Sequence, residues 1–129
     1  MQHKTTDMQP EKFSIRTRIK SFSHAFAGLR QFVGREHNAR IHVAATFVVI
    51  VTGFLLHVSY AEAAILAIVT GLVWVAEIMN TCVERLSDLI TRERHPEIKI
   101  IKDLAAGAVL CAAFTAVAVA SFIFIPKII

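Results

Sequence analysis

Four polar residues repeat inside an otherwise apolar stretch: Glu77, Asn80, Glu84 and Asp88. At about 100° per helical residue they fall within an arc of about 80°, one stripe on one helix face. Glu77 and Glu84 are about 10 Å apart along such a helix. An ionisable side chain in a membrane segment costs roughly 2.5–3.5 kcal/mol on insertion scales, so such groups mark pathways or reactive sites. Two further clusters flank the apolar stretches. Glu36, His37, Asn38, Arg40 and His42 precede one, and Lys102 and Asp103 precede another. Acids together with a lysine at a water-facing membrane surface suit phosphoryl transfer. That chemistry needs a hard divalent cation on oxygen ligands, positive charge beside the phosphates, and a carboxylate to orient or deprotonate the attacking hydroxyl. Glu36 and Glu84 suit a magnesium ion, Lys102 suits phosphate, and Glu77 suits a base facing a lipid hydroxyl.

Each of these residues also has a structural reading. The carboxylates pair with nearby Arg or Lys and hold helices together. Glu36 and Arg40 form an i,i+4 pair. Asp103 serves as a helix N-cap, and Lys102 snorkels to the interface. There is no Gly-rich phosphate loop ending in Lys-Ser/Thr, no protein-kinase signature, no nucleophile elbow and no Cys/His zinc spacing.

Three apolar stretches must position these groups: Ile41 to about Val58, Ala61 to about Val83, and Leu104 to Ile125. Each is near the roughly 20 residues that cross a hydrocarbon core as a helix. Of the 129 residues 55% are hydrophobic and 19% charged, which fits a small membrane protein of one domain. Positive charge alternates along the chain. Residues 1–40 hold eight Lys or Arg, the turn near Ser59 none, residues 84–103 five, and the tail only Lys127. The positive-inside rule then places the N-terminus and the second connection in the cytoplasm. This accounts for the net charge of +4 without nucleic acid. No apolar h-region precedes residue 40, so no signal peptide is expected. Cys82 and Cys111 fall in membrane stretches and read as buried small hydrophobes.

Before the spans, residues 1–11 lack periodicity and are expected to be disordered. Ile15, Ile19, Phe22, Phe26, Leu29 and Val33 then repeat every three or four residues. That pattern predicts a basic amphipathic helix over 13–34, lying on the membrane surface and ended or bent at Gly34. Spans follow at about 38–58, 61–87 and 102–125, within a single unit of 12–129. The first two form a hairpin closed near His57–Ala61. Pro96 is expected to break helix within a polar connection from Asp88 to Lys102. Ala105, Ala106, Gly107 and Ala108 predict close helix packing.

The run Glu77-Ile-Met-Asn80-Thr-Cys-Val-Glu84, with Asp88, Lys102-Asp103 and Ala105-Ala-Gly-Ala-Val109, resembles the bacterial integral membrane diacylglycerol kinase and undecaprenol kinase family. Ala25-Phe-Ala-Gly28-Leu and Glu36 fit as well, so the similarity covers roughly residues 13–125. The resemblance implies an all-α, three-span homotrimer with an N-terminal surface helix in the inner membrane, using magnesium-ATP at sites shared between subunits. By that resemblance Glu77 is the base and Asn80 an active-site amide, while Glu36 and Glu84 hold magnesium. Lys102, Asp103, Glu93, Arg94 and His95 would contact nucleotide, with Arg16 or Arg18 supplying an arginine from the surface helix. Arg40, Glu77 and Ala106 would face the lipid, and Asp88 belongs to the same constellation. The Glu36–His42 run looks more like the undecaprenol branch, and the lipid stays open between diacylglycerol and undecaprenol. A different class of function, a helical ion or proton pathway lined by Glu77, Asn80 and Glu84, uses the same intramembrane acids without catalysis.

Overall fold

The computed structural model describes residues 14–91, 93 and 95–129. The expected disorder of 1–11, the helix start at 13 and the assignment of Arg94 lie outside these residues. Among the described residues there are four helices: α1 (Ile15–Arg35), α2 (His37–Leu55), α3 (Tyr60–Ile90) and α4 (Pro96–Ile128). The chain divides into two compact units, residues up to Gln31 and residues from Phe32 onward.

The first unit is the greater part of α1. Its apolar stripe is exposed at Ile15, Ile19, Phe22, Phe26 and Leu29. Gly34 neither ends the helix nor takes a left-handed backbone. The break falls instead at Glu36, whose extended backbone (φ −89°, ψ 127°) opens α2. Its N–H still donates to the Phe32 carbonyl at 2.9 Å, so α1 closes its last turn before the chain redirects.

In the second unit α2, α3 and α4 are each long and apolar enough to cross a membrane. The protein is therefore a multi-pass membrane protein. The hairpin turn lies where the sequence predicts it. His57 takes a left-handed φ of 51°, and Ser59 starts α3 through a capping box. Its hydroxyl accepts from the Glu62 N–H at 3.3 Å, and the Glu62 carboxylate accepts from the Ser59 N–H at 2.6 Å. Glu62 also meets Lys127 of α4 at 3.1 Å. This outlying acid thus belongs to helix-end architecture.

The second connection differs from expectation. α3 has 31 residues and α4 has 33, so the polar residues on both sides of 91–95 are helical. Pro96 does not interrupt a helix. It opens α4 in the first turn, where its missing N–H has no helical partner to lose. Asp103 consequently sits inside α4 and is not an N-cap. At 1.5 Å per residue these helices are about 46 and 50 Å long, against a hydrocarbon core of about 30 Å. Both helices are longer than the core is thick, and Glu84, Asp88, Lys102 and Asp103 lie toward their facing ends.

The small core of this unit lies on one face of α3, at Leu66, Val69 and Val73, with α4 packed along it and α2 touching both. Alanines and valines of α4 are half-buried there, and no α4 residue is fully covered. Close approach is not realised at Gly107, where an added Cβ would meet nothing within 4 Å. Both cysteines are exposed rather than buried.

Candidate active site

The buried face of α3 changes character along its length. Leu66, Val69 and Val73 continue directly into Glu77 and Asn80, which are 2% and 5% exposed. Glu84 is half-buried and Asp88 exposed. The predicted stripe therefore exists and runs from a covered carboxylate out to solvent. Thr81 and Ser87 are also buried beside it, and the sequence stripe did not include them.

The acids divide into two groups. Glu36, Asp88 and Asp103 have basic partners. Arg85 Nη2 donates to Glu36 Oε1 at 2.7 Å, tying the start of α2 to α3. Lys102 Nζ meets Asp88 Oδ1 at 3.1 Å across the α3–α4 pair, and Lys99 pairs with Asp103 along α4. All three are thus paired within the chain, Glu36 and Asp103 with other partners than the sequence suggested. Exposed pairs of this kind are worth only about 0–1 kcal/mol, so a metal or phosphate displaces them at little cost. The Glu36–Arg40 pair does not form. Glu36 stands outside α2 on extended backbone, and Arg40 Nη2 turns back to the Gly34 carbonyl at 2.7 Å. Arg85 is the residue the sequence reading missed, because nothing local marks a partner 49 positions from Glu36.

Glu77 and Glu84 are different, since neither is paired with a Lys or Arg among the described residues. Glu84 Oε1 accepts from Asn80 Nδ2 at 3.5 Å. Asn80 Oδ1 is buried with no hydrogen-bond partner. A buried amide oxygen without a donor costs about 1–3 kcal/mol, so this position asks for a cation or a hydroxyl. No group of three His, Cys, Asp or Glu side chains suited to a metal occurs among the described residues of one chain. Magnesium does not need one. It keeps several waters and takes one or two carboxylates plus phosphate oxygens, which Glu84 and Glu36 can supply.

Glu77 Oε2 faces His42 Nε2 at 4.0 Å. The His42 ring packs against Trp74, centroids 6.4 Å apart and tilted by 57°. Trp74 Nε1 donates to Thr46 Oγ1 at 3.0 Å, and Thr46 Oγ1 donates to the His42 carbonyl at 2.7 Å. Phe32 meets the edge of Trp74 with centroids 6.2 Å apart. His42, Thr46 and Trp74 line a partly open apolar cavity of about 260 Å³ between α2, α3 and α4, together with Val49, Leu66, Val73 and Ala116. Glu77 is one helical turn beyond Val73. A covered carboxylate thus stands at one end of a hydrocarbon-lined space, and a stripe of polar groups leads from it to water.

The remaining predicted residues are exposed. Ala106 is on the exposed face of α4, and Glu93 and His95 are exposed in the connection, where His95 is the N-cap position of α4. Arg16 and Arg18 are exposed on α1 in the first unit.

Residues 23–124 match the family model for prokaryotic diacylglycerol kinase. The chain is 35% identical over 122 residues to the undecaprenol kinase of Bacillus subtilis, covering 95% of this chain and 99% of the relative. It is 38% identical over 112 residues to a diacylglycerol kinase of Synechocystis, covering 86% of this chain and 64% of that protein. A diacylglycerol kinase of Pseudomonas aeruginosa is 32% identical over 105 residues, covering 78% of this chain and 85% of the relative.

Proposed function

The chain belongs to the prokaryotic diacylglycerol kinase family, and from that premise we propose that it is a lipid kinase that moves the γ-phosphate of ATP to the hydroxyl of a membrane lipid, undecaprenol or diacylglycerol, with magnesium. The observation that carries this reading is Glu77. It is a buried carboxylate without an Arg or Lys partner among the described residues, one helical turn beyond Val73 of the cavity lining and at the head of the polar stripe. A lipid alcohol has the same two-sided character, a hydrocarbon tail with one hydroxyl. Glu77 takes the hydroxyl proton as base. Asn80, with its free Oδ1, orients the reacting groups beside it. Glu84 and Glu36 would hold magnesium, which neutralises phosphate charge when bound. Lys102 and Asp103 serve the nucleotide together with Glu93, Arg94 and His95 of the connection and Arg16 or Arg18 of α1. Arg40 and Ala106 serve the lipid side, and Asp88 steers Lys102.

We further assign the N-terminus and the 91–95 connection to the cytoplasmic side of the inner membrane, on the distribution of Lys and Arg. The exposed apolar stripe of α1 lies on that surface. A homotrimer with shared sites follows from the family resemblance, and it gives the uncovered face of α4 a place to pack. The ion-pathway reading is less well supported. Beyond Glu77 the α3 face becomes Val73, Val69 and Leu66, and Glu62 is committed to Ser59 and Lys127.

The test is purified protein in mixed micelles with γ-labelled ATP, magnesium and each lipid in turn. Label in the lipid phosphate is the expected result. Ion flux across proteoliposomes, with no label in either lipid, would move the assignment to the pathway.

A further inference from the structure

His42 has no role in the chemistry described so far, yet it is the group facing the proposed base. Its Nε2 is 4.0 Å from Glu77 Oε2. That is too long for a direct hydrogen bond, and a poor use of two polar groups at the end of an apolar cavity. It is the separation that one oxygen atom fills. A hydroxyl oxygen about 2.8 Å from both atoms would close a triangle on them with an angle of about 90°. The ring is held in position for this task. Trp74 packs against it at 6.4 Å, and Thr46 ties Trp74 to the His42 backbone through two hydrogen bonds of 3.0 and 2.7 Å. His42 and Thr46 also border the cavity, so a tail lying in that space brings its terminal hydroxyl to the His42–Glu77 gap.

We infer that His42 is a positioning residue for the acceptor: with Glu77 it seats the lipid hydroxyl, its Nε2–H donating to the oxygen whose proton Glu77 takes. This rests on the lipid kinase reading and adds the seat of the alcohol. In the step itself the acceptor O–H bond breaks and its proton passes to Glu77 Oε2. A new O–P bond forms to the γ-phosphorus of ATP, the bond from that phosphorus to the bridging oxygen breaks, and ADP leaves with the electron pair. His42 donates to the attacking oxygen throughout. It fixes the oxygen's direction, so the remaining lone pair points at phosphorus. The same assignment explains why the cavity carries so little free polarity. Trp74 Nε1 and Thr46 Oγ1 are consumed by one another and by the His42 carbonyl, and Thr70 is the other hydroxyl in the lining; only the His42–Glu77 pair sets a ring nitrogen opposite a carboxylate.

Wild type, His42→Ala and His42→Gln are compared in mixed micelles, with undecaprenol and diacylglycerol as acceptors. His42→Ala is expected to raise the acceptor KM about tenfold and lower kcat, leaving the ATP KM unchanged. His42→Gln, which restores an N–H donor, recovers most of the loss. Trp74 is the sole tryptophan and packs on His42, so its emission reads acceptor binding without turnover. The alcohol shifts that emission in wild type and His42→Gln, and about tenfold more alcohol is needed in His42→Ala. Unchanged acceptor KM and unchanged Trp74 titration in His42→Ala overturn the inference while leaving the kinase reading intact. So does an equal rise in ATP and acceptor KM. A wild-type protein that labels neither lipid overturns the kinase reading and this inference with it.

Discussion

Replacing Glu77 by Gln removes one function and little else. The residue is 2% exposed beside the equally covered Asn80, so a side chain of the same shape leaves no void and introduces no charge. Its neighbour within 4.0 Å is His42, and the amide can still meet that ring. Stability is expected to be unchanged or slightly raised, since the cost of burying a carboxylate disappears. Catalysis is another matter. A positioned general base contributes typically 10²–10⁴-fold, equivalent to about 2.7–5.4 kcal/mol of barrier at 1.36 kcal/mol per decade. The next carboxylate on the stripe, Glu84, is about 10 Å away along the axis and cannot substitute. Transfer of label from ATP to lipid by Glu77→Gln should therefore fall by two to four orders of magnitude in kcat, with both KM values within about threefold of wild type. Thermal unfolding checks that the variant is folded. A folded variant with kcat within threefold of wild type would refute the assignment of Glu77 as base.

Other perturbations separate the parts of the site. Glu84→Ala and Glu36→Ala should each move the midpoint of a magnesium titration upward about tenfold or more; an unchanged midpoint removes that residue from the metal set. Lys102→Gln should raise the ATP KM about tenfold with the acceptor KM unchanged, read from initial rates over ATP concentration. Thr46→Val strands the Trp74 N–H in an apolar setting, at a cost of about 1–2 kcal/mol in thermal unfolding, accompanied by a shift in Trp74 emission. Ser59→Ala breaks the capping box at the far end of the bundle. It should lower the unfolding midpoint by about 3 °C and leave kinetic constants alone.

Periodicity made much of this architecture legible. The 100° rule placed Glu77, Asn80, Glu84 and Asp88 on one face, and the structure orders them from covered to exposed along it. Apolar length located three spans, whereas the Ser59–Glu62 capping box that marks the start of α3 is a spacing the sequence reading passed over. The helix ends were harder. Polar residues beyond the spans continue α3 and α4 because nothing in them opposes helix, and Pro96 is favourable at a first turn although it would break an interior. Side-chain partners were out of reach for a simpler reason. A helix face fixes direction, and it does not say which residue of another helix arrives there. Glu36–Arg85 and Trp74–Thr46 join positions 49 and 28 apart, and the local Glu36–Arg40 alternative fails because Glu36 lies outside the helical register.

The most direct test of the account is where the alcohol end of the acceptor lies. A long-chain lipid alcohol carrying a photoreactive diazirine next to its hydroxyl would be bound to the purified protein, irradiated, and its adducts mapped by mass spectrometry. Adducts at the cavity end of α2 and α3, on His42, Thr46, Val73 or Glu77, are the result the account requires. Adducts confined to the exposed faces of α1 or α4, with none near Glu77, would contradict it.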